Sequence, residues 1–189
     1  MPEPKPPSRQ QLVAGAADMI RRRGLNATSI REVAKHAGTP LGSTYHYFPG
    51  GKQQLATEAV RFAGDTVTRM LDKRLRAGPV DGLRAFLALW RDILTSTHFQ
   101  AGCPVLAVSI EEATDGEALT AAAEAFTGWE TRLAGALREH GAADADQLAT
   151  LVVAAAEGAV AMCRAERSTR PLDRVSAQLE SLLTTAVGG

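Results

Sequence analysis

Apolar residues recur at helical spacing along nearly the whole chain, and glycine or proline marks the breaks between stretches. Leu12, Val13, Ala16, Ala17 and Ile20 form the first stripe, with Ser8 placed to cap it and Gly24 to stop it. Ser29 and Glu32 follow with the spacing of a capping box, in which each side chain satisfies a free backbone N–H of the other. They open a short helix whose apolar side is Ile30, Val33, Ala34 and Ala37, ended by Gly38. Thr39 is expected to cap a third helix, with Pro40 in the first turn where a missing N–H costs nothing. Pro49-Gly50-Gly51 then closes it.

A longer amphipathic pattern runs from Lys52 to about Arg76 and breaks at Gly78-Pro79. Further helices are expected up to about Thr97, then over about 104–114, 117–140, 144–167 and 171–187. Alternating β-branched runs and Asn-Gly hairpin turns are absent. The pattern predicts an all-α protein of about nine helices: a disordered Pro-rich tail over 1–7, a three-helix unit over 8–54 and a helical bundle over 55–189.

Two short helices joined by a tight Ala-Gly-Thr-Pro turn, with a supporting helix before them, make a helix-turn-helix. Charge sharpens that reading. The formal net charge of the 189 residues is zero, yet residues 1–52 hold eight lysines and arginines against three acids. A basic head on an acidic body points to a polyanion partner for the head alone. Only 5% of residues are aromatic, yet Tyr45, Tyr47 and Phe48 crowd into four positions of the third helix.

In a helix-turn-helix the second helix of the pair enters the major groove of double-stranded DNA. Gly42 would permit close backbone approach, and Leu41 could pack on a thymine methyl. Ser43 and His46 could reach base edges or phosphates, and Tyr45 and Tyr47 would offer hydroxyls to phosphate oxygens. Phe48 reads as a core plug, and Lys52 would bring positive charge to a phosphate at the start of the next helix.

The stretch TSIREVAKHAGTPLGSTYHYFPGGKQQL resembles the DNA-binding signature of the TetR family of transcriptional repressors. The resemblance implies that Ser29 caps its helix and that Arg31 approaches the DNA backbone. Thr39, Pro40 and Thr44 depart from the usual pattern, as does an extra glycine before Lys52. The FPGGK form and the later AGCPV segment are similar to an LmrA/YxaF-like branch.

Residues 148–163, LATLVVAAAEGAVAMC, are apolar around almost the whole helix circumference and must be covered on every side. With the stripe of the last helix they could meet a two-fold copy in a four-helix bundle, as in TetR-like homodimers. Leu148, Leu151, Val152 and Ala155 are expected at that interface, with Leu179, Leu182 and Leu183. A dimer would read a palindromic operator.

Between the long helices a mostly apolar cavity is expected. Its candidate lining is Phe62, Leu87, Trp90, Leu94, Phe99 and Cys103 from the first part of the body, then Val105, Leu106, Phe126, Trp129 and Met162. Ser109, Glu157 and Arg164 are the polar candidates. So few polar groups suggest a small lipophilic or aromatic effector, and the resemblance implies that it favours a state whose recognition helices no longer match the half-site spacing.

Other classes draw less support. His98 and Cys103 lack an orienting third group for nucleophilic catalysis, and the four histidines lack metal-ligand spacing, so neither an enzyme nor a cofactor is expected. The cysteines form no CxxC pair, the start MPEPKPPS has no signal-peptide core, and Glu157-Gly158 interrupts the nearest thing to a membrane span. A cytoplasmic protein without a membrane partner is expected. A helical small-molecule binder that never touches DNA is the alternative reading; it would leave the basic head unexplained.

Overall fold

The computed structural model describes residues 9–111 and 116–188. The expected Ser8 cap, the tail over 1–7 and the end of the helix expected over 104–114 lie outside that range.

Nine α-helices are found among the described residues, and no strand. They are α1 (Arg9–Arg23), α2 (Ile30–His36), α3 (Leu41–Tyr47), α4 (Gly51–Arg74), α5 (Pro79–Ser96), α6 (Pro104–Ser109), α7 (Gly116–Glu139), α8 (Ala145–Glu166) and α9 (Arg170–Val187), with a 3-10 turn at Leu75–Ala77. The Ser29–Glu32 capping box forms as expected: the Ser29 hydroxyl accepts the Glu32 N–H at 3.3 Å, and the Glu32 carboxylate accepts the Ser29 N–H at 3.3 Å. Thr39 does not cap the third helix. Pro40 is the N-cap of α3, while Thr39 is buried with its hydroxyl oxygen unpartnered.

The contacts divide the chain into two compact units. One takes residues up to Gly64 together with Pro104–Ala123, and the other Asp65–Cys103 with the chain from Glu124 onward. The small unit is thus larger than residues 8–54, because α6 packs on α1. Its core joins Leu12, Ala16 and Ile20 of α1, Ile30 and Val33 of α2, Phe48, Leu55 and Ala59, and Val105 and Val108 of α6.

In the second unit α8 packs on α9 and α5, and α5 packs on α9. Leu83, Phe86 and Leu94 of α5 meet a core that includes Leu133, Leu137, Leu172 and Leu183. Helix α8 is long and apolar enough to cross a membrane by length and composition. Within the fold its apolarity has a local cause: Ala149, Val152, Val153, Ala156 and Val160 are buried in the chain's own interior.

Candidate nucleic-acid interface

Helix α3 is seven residues long and buries only Thr44. Phe48 follows as the C-cap, fully buried, with the Arg9 guanidinium 5.0 Å above its ring centre and Arg9 paired to Glu58. One side of the short helix is therefore pinned by Thr44 and Phe48. Gly42, Tyr45 and His46 are exposed, and Leu41, Ser43 and Tyr47 half-buried. Tyr45 keeps 53% of its surface open. A Cβ on Gly42 would meet nothing within 4 Å, so no packing inside the chain requires glycine there.

Charges around this helix are sorted by pairing. Asp18 binds Arg21 and Arg22 on α1 and lies 3.5 Å from His36 of α2. Burial pushes the Asp18 carboxyl up, but hydrogen bonds and charge from Arg21 and Arg22 outweigh it and hold the group below its ordinary 3.8. Asp18 thus holds Arg21 and Arg22 on α1, and the two arginines still outnumber it, so the basic excess of the head remains. Arg31 and Lys35 are exposed and in no ion pair among the described residues.

Ser29 is exposed but its hydroxyl is engaged with Glu32 at 2.9 Å, which makes it a cap before it is anything else. Lys52 is half-buried and donates from Nζ to the Asn26 carbonyl of the α1–α2 turn at 3.3 Å.

That turn holds a residue the sequence reading missed. Glu111 accepts the Leu25 N–H on Oε1 and the Asn26 N–H on Oε2, both at 2.6 Å. The contact spans more than eighty positions of sequence, and no local motif marks it.

The expected pocket residues separate by burial. Leu87, Trp90, Leu94, Cys103, Val105 and Trp129 are buried; Phe62, Phe99, Leu106 and Phe126 are half-buried. Met162 is 53% exposed, which corrects its place in an enclosed wall: it lies on the outer side of α8. Trp90 and Trp129 join Phe86 and Phe126 in a quartet of edge-on rings, with centroids 5.5–6.4 Å apart. Phe86 was not anticipated, though it fits the same apolar stripe of α5 as Leu83, Leu87, Trp90 and Leu94.

Among the polar candidates, Ser109 bonds its own helix at the Leu106 carbonyl, and Arg164 donates to the Gln100 carbonyl at 3.3 Å. Glu157 is 4% exposed and neither carboxylate oxygen meets a donor at hydrogen-bonding geometry. Burial pushes it from its ordinary 4.5 up to about 7, with the nearby Cys103 thiol pulling weakly the other way.

The expected dimer residues divide too. Of the residues expected at the dimer interface, Val152, Leu179 and Leu183 are buried within the chain between α8 and α9, and Leu179 also lines the groove on that side. Leu151 and Leu182 are 46% and 39% exposed, and Leu148 and Ala155 half-buried. Leu151, Ala155, Val175, Leu179 and Leu182 line an open, mostly apolar groove of about 440 Å³, with Arg174 and Gln178 also lining it. Among the described residues no three His, Cys, Asp or Glu side chains gather as a metal site would need.

Comparison with known proteins fits this geometry. Residues 12–59 match the N-terminal profile of bacterial regulatory proteins of the TetR family. Residues 79–178 match the C-terminal domain of LmrA/YxaF-like transcriptional regulators. An HTH-type transcriptional regulator of Mycobacterium tuberculosis, Rv0196, is 39% identical over 183 residues, covering 93% of each chain. The HTH-type regulator YxaF of Bacillus subtilis is 30% identical, covering 93% of this chain and 95% of its own. The crystal structure of a TetR regulatory protein from Rhodobacter sphaeroides shares the fold with a TM-score of 0.83, at 24% identity over 91% of this chain and 96% of that one. A profile spanning over half the chain and a relative alike along nearly all of it lead to one conclusion: the chain belongs to the TetR family of transcriptional regulators, in its LmrA/YxaF-like branch.

Proposed function

We propose that the protein is a cytoplasmic repressor that binds a palindromic DNA operator as a homodimer and is released by a small lipophilic or aromatic effector. The observation that carries the DNA-reading part is the composition of α3. A glycine that no neighbour demands sits beside an exposed tyrosine and histidine on a helix pinned from behind by Phe48. Glycine inside a helix costs about 1 kcal/mol relative to alanine, and a close-approaching duplex is what would repay it.

Leu41, Gly42, Ser43, Tyr45, His46 and Tyr47 form the reading surface, with Arg31 at the phosphates. Lys52 shapes that surface from its bond to Asn26. The exposed leucines of α8 and α9, beside their apolar groove, support a two-fold partner that covers them. The aromatic quartet and the half-buried Phe99, all within the second unit, supply the apolar chemistry an oily effector would meet.

The test is a selection from random-sequence duplex DNA by the full chain, followed by fluorescence anisotropy on the selected duplex. The expected result is a palindrome with two equivalent half-sites and an affinity that falls steeply as salt rises. A selection returning no shared sequence, or binding indifferent to salt, overturns the proposal.

A further inference from the structure

We propose that Glu111 is a positioning residue for DNA recognition: its carboxylate, brought by the segment after α6, clamps the α1–α2 turn and so sets how the helix-turn-helix is presented. The inference rests on the DNA-reading function proposed above. It concerns a residue outside the helix-turn-helix and its sequence signature.

Helix α1 ends at Gly24, whose φ of +82° turns the chain into the left-handed region. The next two N–H groups, of Leu25 and Asn26, point to one place, and both oxygens of Glu111 occupy it. Charge-assisted bonds of this kind are short and strong. The carboxylate approaches so closely that a Cβ on Gly24 would lie 2.2 Å from Oε1. The same turn is tied twice more, by the Thr28 hydroxyl to the Gly24 carbonyl at 2.7 Å and by Lys52 to the Asn26 carbonyl. Ser29, the N-cap of α2, comes directly afterwards. A turn gripped on both its N–H and C=O sides fixes where α2 starts, and α2 carries α3.

Electrostatics argues that the clamp is specific. The C-terminal end of a helix is the negative end of its dipole, which disfavours a carboxylate. Glu111 stands beside the end of α1 because two N–H groups converge on it, not because the end of α1 attracts a negative charge. Its own position is set by α6, which packs on α1, and by the Glu111 N–H donating to the Val108 carbonyl. A displacement of α6 would pull directly on the turn.

The experiment uses the full chain, the duplex it selects and, as a non-specific probe, poly(dI-dC). Glu111→Ala should weaken binding to the selected duplex by about tenfold or more while leaving poly(dI-dC) binding close to wild type, with Tm lowered by the two lost bonds but the chain still folded at the assay temperature. Glu111→Gln, which keeps one acceptor, should fall between. Gly24→Ala should lower affinity more in wild type than in the Glu111→Ala background, since only the first holds the carboxylate it displaces.

Hydrogen exchange reads the clamp without DNA: the Leu25 and Asn26 amides should be protected in wild type and faster in both Glu111 variants. Equal operator binding by wild type and Glu111→Ala, or unprotected amides in wild type, overturns the role. A wild type that selects no duplex defeats the DNA reading itself; protected amides would then keep the clamp as a feature of the fold alone. If Glu111→Ala does not fold, the Glu111→Gln affinity and the wild-type exchange decide.

Discussion

Glu157 sits on α8 among alanines and valines, buried near the Cys103 thiol, and its chemistry follows from that burial. Burial disfavours the charged form, so the folded chain holds the proton up to about pH 7 whereas an unfolded chain gives it up near 4.5. The sign follows by linkage: between those values the native state binds the extra proton, so the stabilisation present below 4.5 is lost as pH rises to about 7. The shift corresponds to roughly 3 kcal/mol above neutrality. Glu157→Gln keeps the shape and removes the titration. Thermal melting should show the two proteins alike below the unfolded value of 4.5 and the variant more stable well above the folded value of about 7; parallel curves across the range would mean that Glu157 is not the group responsible.

At the scale of elements, α3 sets helix stability against function. Gly42 lies within a seven-residue helix, has open space where a Cβ would go, and needs no left-handed backbone. Gly42→Ala should therefore stabilise the protein by about 0.5–1 kcal/mol and yet weaken operator binding, because the methyl stands between the helix and the duplex. Denaturant unfolding and anisotropy on the same preparation measure both signs. Improved stability with unchanged DNA affinity would remove Gly42 from the reading surface.

The elements themselves were legible where the signal is local. Ser29 and Glu32 announce α2, and Gly78-Pro79 marks the break before α5. Thr39 misled because a proline at the first helical position is common, whereas here Pro40 takes the N-cap and the threonine is drawn into the core.

At the scale of the whole molecule, exposed apolar side chains bear on assembly. Leu151 and Leu182 expose a large part of their apolar surface beside the groove between α8 and α9, and Met162 lies exposed on the same α8. In the proposed homodimer these side chains are covered. Leu151→Glu with Leu182→Glu should give a monomer by light scattering, with the helical content of each chain kept and operator affinity reduced by orders of magnitude, since each half-site would then be bound alone. A dimer that survives both changes would place the interface elsewhere.

Sequence alone determined what depends on near neighbours: helical periodicity, the capping box, the turn of the helix-turn-helix, and the aromatic cluster of its second helix. Each follows from spacing along the chain, which backbone geometry converts directly into position. Tertiary structure decided what depends on distant partners. It chose which leucines of α8 and α9 face inward, closed Trp90 and Trp129 into a ring quartet, paired Arg21 and Arg22 with Asp18, and brought Glu111 to a turn more than eighty residues away. Burial and pairing are properties of packed surfaces, and an amphipathic stripe states only that a face will be covered, not by what.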